Sequence, residues 1–272
     1  MSASDRVFTG SVPDIYDRLL VPLIFDFYAI DLSRRVAQAR PGRILETAAG
    51  TGALTRALSA ALGSNTCLVA TDLNGPMLEI AKARLPDSRI AWQQGDALSL
   101  PFDPGSFDAV CCQFGAMFFP DRLRAFREAH RVLGPGGRLH FNVWDEITEN
   151  EFADAVTAAL EEVFLEDPPR FLARTPHGHA DVQTLRRELQ AAGFGEIRVE
   201  AVEGTSRASS PRVPAVAYCQ GTPLRTEIEA RDPTMLQTAT DAAARMIARR
   251  FGEGEVSGKM RAFVLSARAG AC

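Results

Sequence analysis

The chain has 272 residues, which at roughly 150 residues per domain is room for one large domain, or one domain carrying a sizeable insertion. Hydrophobic residues make up 46% and charged residues 24%, a balance that supports a substantial core and excludes wholesale disorder, a fibrous chain and a membrane protein. With 34 acidic residues against 30 basic ones and a net charge of −4, the chain lacks the positive field that a phosphate backbone demands, so no nucleic acid partner is expected.

The chain opens with a helical segment over residues 1–40, where Ile15, Leu19, Leu20, Leu23 and Phe27 fall near helical spacing. Its most apolar window, 19–30, is interrupted by Pro22 and Asp26, and no cationic patch precedes it. Neither a signal peptide nor a spanning helix is therefore expected. From 43 to 143, short apolar β-rich runs alternate with segments at helical spacing, the pattern of βαβ units around a parallel sheet. A strand over 43–48 leads to a helix with Leu54, Ala57, Leu58, Ala61 and Leu62 on one stripe, and Gly63 is placed to end it as a C′ glycine. A second strand over 67–71 precedes a helix opening at Asn74 or Gly75, with Pro76 in its first turn and Met77, Leu78, Ala81 and Leu85 facing inward. A third strand covers 89–94, and a buried fourth covers FDAVCCQF. Asp121 then caps a helix whose Leu123, Phe126 and Leu133 face inward, and GPGG leads into a fifth strand over 138–144.

Beyond Trp144 the alternation loosens into an acidic helical stretch over 149–166 and a long loop rich in Pro, Arg and His. A helix over 181–192 ends at Gly193, a strand follows over 194–202, a helix over 234–251, and a last strand over 260–267. The expected architecture is α/β: a Rossmann-like, seven-stranded, mostly parallel sheet with helices on both faces and a helical cap. It forms one domain over 1–272, with a cofactor-binding core at 43–143 and insertions at 144–180 and 204–258 that hold the acceptor. Five cysteines, odd in number and without a C-x-x-C pair, fit free thiols in a reducing, cytoplasmic setting.

The chemistry starts at Glu46-Thr-Ala-Ala-Gly50-Thr-Gly52, a strand ending in an acid, then a small-residue turn, then a helix. Such a turn lets a ligand approach backbone N–H groups, and the helix N-terminus favours a carboxylate. Asp72 ends the second strand about 20 residues further on, the offset at which an acid accepts hydrogen bonds from vicinal ribose hydroxyls. Together these residues point to an adenosine-type nucleoside. A dinucleotide fits less well, because Thr55 stands where that fingerprint requires Gly or Ala.

ETAAGTG, the acid of TDLNGPML, the GDA at 95–97, FDAVCCQF and RVLGPGGRLHF together resemble, in order and spacing, the class I S-adenosylmethionine-dependent methyltransferases, in particular their type 11, UbiE-like group. A longer span, from Tyr16 through QFGAMFFPD to GTPLR, is similar to a bacterial methyltransferase subgroup whose acceptor is uncharacterised. The resemblance implies S-adenosyl-L-methionine as cofactor. It implies Gly50 and Gly52 beside the methionyl and ribose portions, Glu46 near the methionyl amino group and Asp72 on the ribose. Leu73 and Met77 would contact adenine, Asp96 its amino group with Ala97 alongside, and Gln113 would border the methyl. Ala48 replaces the family's first motif glycine, which puts the tightness of the turn in question.

Other residues keep two readings. Phe114 and Phe118 either line an acceptor pocket or pack in the core, and Trp144, at the end of the fifth strand, leans to the pocket. His177 and His179 form an H-x-H without a third metal ligand at the right spacing, so no metal is expected. Either could serve as a base for an acceptor proton, as could Tyr16. Arg170, Arg174 and Arg225 either bind an anionic acceptor or form surface ion pairs, and His130 and His140 sit in structural positions. The resulting expectation is a methyltransferase acting on a small-molecule acceptor, without nucleic acid or membrane, with a homodimer left open. A non-catalytic S-adenosylmethionine-binding protein and an NAD-dependent oxidoreductase are the alternatives.

Overall fold

The computed structural model describes residues 10–270. Seven strands form one sheet in the order β3-β2-β1-β4-β5-β7-β6. The strands are β1 Arg43–Glu46, β2 Cys67–Asp72, β3 Ile90–Gln94, β4 Phe107–Gln113, β5 Leu133–Trp144, β6 Phe194–Ala208 and β7 Val256–Ala269. The pairings that join β1 to β5 are all parallel, with Leu45 opposite Val69 and Val110, and Cys111 opposite His140. The order reverses direction between β1 and β4, which makes the carboxyl edge there a switch point at which open α/β sheets bind ligands. The expected seven-stranded Rossmann-like class is the one observed.

The chain divides into two compact units. The core unit comprises residues 26–143, 181–201 and 263 onward. It holds α2 Asp26–Gln38, α3 Ala53–Ala61, α4 Gly75–Arg84, α5 Arg122–Val132 and α8 Val182–Ala191. Alternation along β5 sorts its faces. Leu139 and Phe141 meet Ala125, Phe126 and Ala129 of α5, whereas Arg138 and His140 turn toward Arg35 and Gln38 of α2. Three helices start on the caps their sequences provide: Asn74, Asp121 and Asp181 accept the backbone N–H of Met77, Arg124 and Gln183.

The helical unit comprises residues up to 25, 144–180 and 202–262. It holds α1 Val12–Ile15, α6 Glu151–Val163, α7 Phe171–Arg174, α9 Arg212–Gln220, α10 Leu224–Arg231 and α11 Leu236–Phe251. Its core is built from small and medium residues, with Ala155, Val156, Ala159 and Leu160 of α6 and Ala239, Ala243 and Ile247 of α11 all buried. Among the described residues, no helix is long and apolar enough to cross a membrane.

Three details differ from the sequence reading. The leading segment is not one α-helix, since residues Tyr16–Phe25 wind as a π-helix containing Pro22, whose missing N–H removes an i→i−4 bond. Phe27, placed on the inward stripe, is 43% exposed, because the register changes where α2 begins. Gly63 is not a left-handed cap: α3 stops at Ala61, and Leu62 leaves in an extended conformation. In addition, α7, α9 and α10 were not anticipated, being short helices beside Pro168, Pro169, Pro211 and Pro223.

Gly221, after α9, sits where a Cβ would lie 2.6 Å from the Ala217 carbonyl oxygen and 3.0 Å from Ile15 Cγ2. Gly221→Ala is expected to cost about 1–3 kcal/mol in chemical denaturation, since backbone on one side leaves little room to yield.

Candidate active site

At the carboxyl end of β1 the chain must turn sharply into α3, and it does so with three residues in the left-handed region: Ala48 at φ 54°, Gly50 at 57° and Gly52 at 82°. Ala48 therefore occupies a position that favours glycine, at a cost of about 1–2 kcal/mol. The space its methyl group needs is provided by Gly115, where a Cβ would come within 2.3 Å of Ala48 Cβ and 2.8 Å of Cys112 Sγ. The tight turn is thus kept with alanine because the facing loop is glycine. Gly52 has a packing role as well, since a Cβ there would stand 3.1 Å from Ala81 Cβ. At Gly50, by contrast, the nearest atom to such a Cβ is Met77 Cε at 3.7 Å.

Asp72 ties this turn to the next one. Its Oδ2 accepts from the Gly50 N–H at 2.8 Å and its Oδ1 from the Asn74 N–H at 2.7 Å. A carboxylate offers about four lone-pair sites, so acceptor capacity remains for a hydroxyl donor. Desolvation raises the Asp72 pKa, opposed by the N–H groups of Asn74, Gly50 and Leu73. Beside it the Leu73 side chain is 51% exposed, an apolar surface next to a polar anchor.

Glu46 is 1% exposed, and burial pushes its pKa up to about 8; the Thr55 hydroxyl, donating to Oε2 at 2.7 Å, pulls the other way, and the Asp72 charge adds to the rise. Thr55, noted in the sequence only as the residue that breaks a dinucleotide fingerprint, is thus the partner of the buried acid. Thr51 Oγ1, in the same turn, is buried without a hydrogen-bond partner among the described residues.

Asp96 caps its own turn by accepting the Leu98 N–H at 2.9 Å and is otherwise exposed, with Ala97 half-buried beside it. Met77 is buried in the first turn of α4. Gln113 ends β4 opposite Asn142 of β5. Asn142, fully buried, accepts the N–H of Phe114 at 2.9 Å and holds that residue at a φ of 50°, while its own amide nitrogen lacks a partner among the described residues. Phe114 is buried and stacks edge-on against Tyr28 at 5.3 Å; Phe118, half-buried, ends a short 3-10 turn. All these residues belong to the core unit. Sequence reasoning missed Thr51, Thr55, Gly115 and the anchoring role of Asn142, whose signals are three-dimensional.

The remaining candidates belong to the helical unit. The His177 ring, 8% exposed, contacts Trp144 at 5.9 Å, and its Nδ1 donates to the Asp145 carbonyl at 2.8 Å, which leaves Nε2 as the acceptor nitrogen. Burial pushes its pKa down to about 4, so the ring is neutral near pH 7 and has little driving force to take a proton. Between it and the half-buried His179, a side chain on Gly178 would meet the Arg174 carbonyl oxygen at 2.1 Å. Tyr16 stacks on Phe25 at 5.2 Å. Arg170 pairs with Glu161, Arg174 with Glu227 and Arg225 with Glu229, which is the ion-pair reading of all three. Among the described residues, no three His, Cys, Asp or Glu side chains gather as metal ligands.

An open parallel sheet with a small-residue turn and two carboxylates at its switch point belongs to the nucleoside-binding α/β enzymes. The model of the ubiE/COQ5 methyltransferase family matches residues 7–209, well over half of the chain. The chain is similar to a demethylmenaquinone methyltransferase of Lactococcus lactis, with 31% identity over 74% of this chain and 85% of that protein. Among solved structures, the YcgJ protein of Bacillus subtilis matches 90% of this chain and 100% of its own at 19% identity, with a TM-score of 0.57. Phosphoethanolamine N-methyltransferase 2 of Haemonchus contortus, in complex with S-adenosyl-L-methionine, matches 98% of this chain and 59% of its own at 19% identity, with a TM-score of 0.62. The chain belongs to the ubiE/COQ5 methyltransferase family. It is a methyltransferase that uses S-adenosyl-L-methionine and acts on a small molecule.

The Ala48–Gly115 contact can be measured directly. Gly115→Ala is expected to cost about 1–3 kcal/mol by overpacking, and less when Ala48 is also changed to Gly. A double-mutant cycle should give a coupling of about 0.5–3 kcal/mol, whereas simple additivity would show that the two positions do not compete for space.

Proposed function

We propose that Glu46, Gly50, Gly52, Asp72, Leu73, Met77, Asp96, Ala97 and Gln113, with Ala48 shaping the turn, bind S-adenosyl-L-methionine at the switch point between β1 and β4. The observation that carries this reading is Asp72: its carboxylate, ending β2 beside the glycine turn, braces both turns through backbone N–H groups and has acceptor capacity left for a ribose hydroxyl. The remaining features fit the same group. Gly50 leaves space beside the backbone, Leu73 offers an apolar face for adenine, and Glu46 is a buried acid suited to the methionyl ammonium.

The cofactor supplies an electrophilic methyl on sulfur, so the chain's contribution is to hold, align and keep water out. Asn142 fixes the Phe114 backbone, and with it the loop that carries Phe118. In the helical unit the Asp145 carbonyl orients the His177 ring against Trp144; we assign His177 and Trp144 of this unit, and separately Phe114 and Phe118 of the core unit, to acceptor contacts, while Arg170 is taken up by Glu161. Because the His177 pKa lies low, its Nε2 accepts a hydrogen bond from an acceptor hydroxyl or amine and positions it; His179 and Tyr16 are the candidates for removing a proton. By analogy with the relative named for demethylmenaquinone, the acceptor class we favour is an apolar quinone-type ring. The same reading includes one methyltransferase domain over 1–272, a cytoplasmic setting and, as the assembly to check by sedimentation, a homodimer.

Thermal shifts test the cofactor assignment. S-adenosylmethionine and S-adenosylhomocysteine should each raise Tm through mass action and NAD should not; no shift with the first two would overturn it. Asp72→Ala should weaken cofactor binding by about 1.5–3 kcal/mol, the value of a charge-assisted hydrogen bond.

Glu46 adds a pH signature. Its folded pKa lies above the unfolded value, so the stability it contributes is complete below pH 4.5 and is lost as pH rises toward 8. Pairing with an ammonium requires the ionised form, so cofactor affinity should rise from pH 6 to 8, at most about tenfold per unit. Glu46→Gln should flatten both trends, as read by denaturation and calorimetry across that range.

A further inference from the structure

In the helical unit, the segment between α6 and His177 is held by one face of α10. Glu227 accepts the backbone N–H of Arg170 at 2.9 Å and of Phe171 at 3.1 Å through Oε2, and its Oε1 takes Nη2 of Arg174 at 2.6 Å. One turn further along α10, Arg231 donates to the Asp167 carbonyl at 2.5 Å and to Asp167 Oδ1 at 3.0 Å. Residues at i and i+4 share a helix face, so the same face fixes both the approach to α7 and α7 itself.

A single helical turn leaves its first amides without intrahelical acceptors, and α7 has no side-chain cap at Arg170. For α5 and α8 the residue before the helix supplies the cap, as Asp121 and Asp181 do. For α7 the acceptor comes from another helix, with the anion at the positive end of the turn. An ion pair with Arg174 needs only one of the Glu227 oxygens. The other is committed to backbone, which ties the position of α7 to that of α10.

What α7 positions in turn is His177. The Thr175 N–H donates to the Phe171 carbonyl at 2.9 Å and the His177 N–H to the Leu172 carbonyl at 3.0 Å, so the backbone of His177 is bonded to α7 directly. Phe171, Leu172 and Thr175 are all buried, which leaves the turn little room to shift. The ring is oriented from the other side by the Asp145 carbonyl and Trp144. A neutral imidazole works through the direction of a hydrogen bond, and a displacement of about 1 Å can cost on the order of a hundredfold in rate.

We propose that Glu227 is a positioning residue for the acceptor site: through α7 it sets where the His177 ring stands against Trp144, and it governs acceptor affinity without touching the acceptor. This rests on the assignment of His177 to acceptor contacts.

The test uses the full chain. It has four histidines, so the His177 ring resonances are assigned with His177→Asn. Glu227→Ala should move the His177 ring and Trp144 indole resonances. It should also weaken binding of 1,4-dihydroxynaphthalene, the reduced form of a quinone-type ring, at least threefold. The S-adenosylmethionine thermal shift should match that of the wild type and so report that the variant has folded. Glu227→Gln keeps an oxygen for the two N–H groups and should restore most of both effects. Resonances that stay in place in Glu227→Ala, even with a lower Tm, would overturn the proposal, since a purely structural cap predicts that outcome. A Gln variant as perturbed as the Ala variant would assign the effect to the Arg174 ion pair and overturn it as well. The underlying assignment is tested separately: wild-type His177 resonances that ignore dihydroxynaphthalene would overturn His177 as an acceptor contact, whereas the variant resonances alone decide whether Glu227 places the ring.

Discussion

Two short hydrogen bonds from the Asp72 carboxylate organise the carboxyl edge of the core. One reaches the turn after β1 and the other the turn after β2, so a single side chain, beside the backbone bond from the Ala49 N–H to the Thr71 carbonyl, sets the spacing of two loops. The left-handed run at Ala48, Gly50 and Gly52 is what presents the Gly50 N–H to it. Removing the acid would leave the Gly50 and Asn74 amides to find other partners and would release the strain held at Ala48. The carboxylate thus serves as a structural brace, and the amides it accepts oppose the rise in its pKa that desolvation causes.

Glu46, one strand over, has the opposite character. It lies deeper, with the Thr55 hydroxyl donating to it, so burial prevails and the acid holds its proton near neutral pH. Two carboxylates in one turn system meet different surroundings: backbone amides oppose the desolvation of Asp72, while burial carries Glu46 up to about 8. His177 and His140 are both held neutral by burial, opposed at His177 by the Asp145 charge and reinforced at His140 by the Arg138 and Arg35 charges.

The strands β1 to β5 were legible because a parallel sheet buried on both faces writes itself as apolar runs, and because Asn74, Asp121 and Asp181 are caps whose partners lie two or three residues away. Local signals carry local structure. What failed to show was non-local. The π-helical turns of residues 16–25 look like ordinary helical periodicity over so short a span, and α9 and α10 were obscured by Pro211, Pro214 and Pro223, which suit first turns as well as loops. At the candidate site the acid and the glycines were visible as a motif, whereas the Gly115 that makes Ala48 tolerable stands in another loop, and Thr55 was seen only as a departure from a pattern.

The charge balance was also read too coarsely. A net charge of −4 argues against a long polyanion as partner, yet it does not describe where the arginines go. Arg170, Arg174 and Arg225 are each matched to a glutamate in the helical unit, so three candidates for anion binding are already neutralised. On β5 and β6 the matching is incomplete: Arg138 shares Glu196 with Arg268, and Arg198 is left over. The pairing of arginines with acids on this face is a local arrangement that a whole-chain sum conceals.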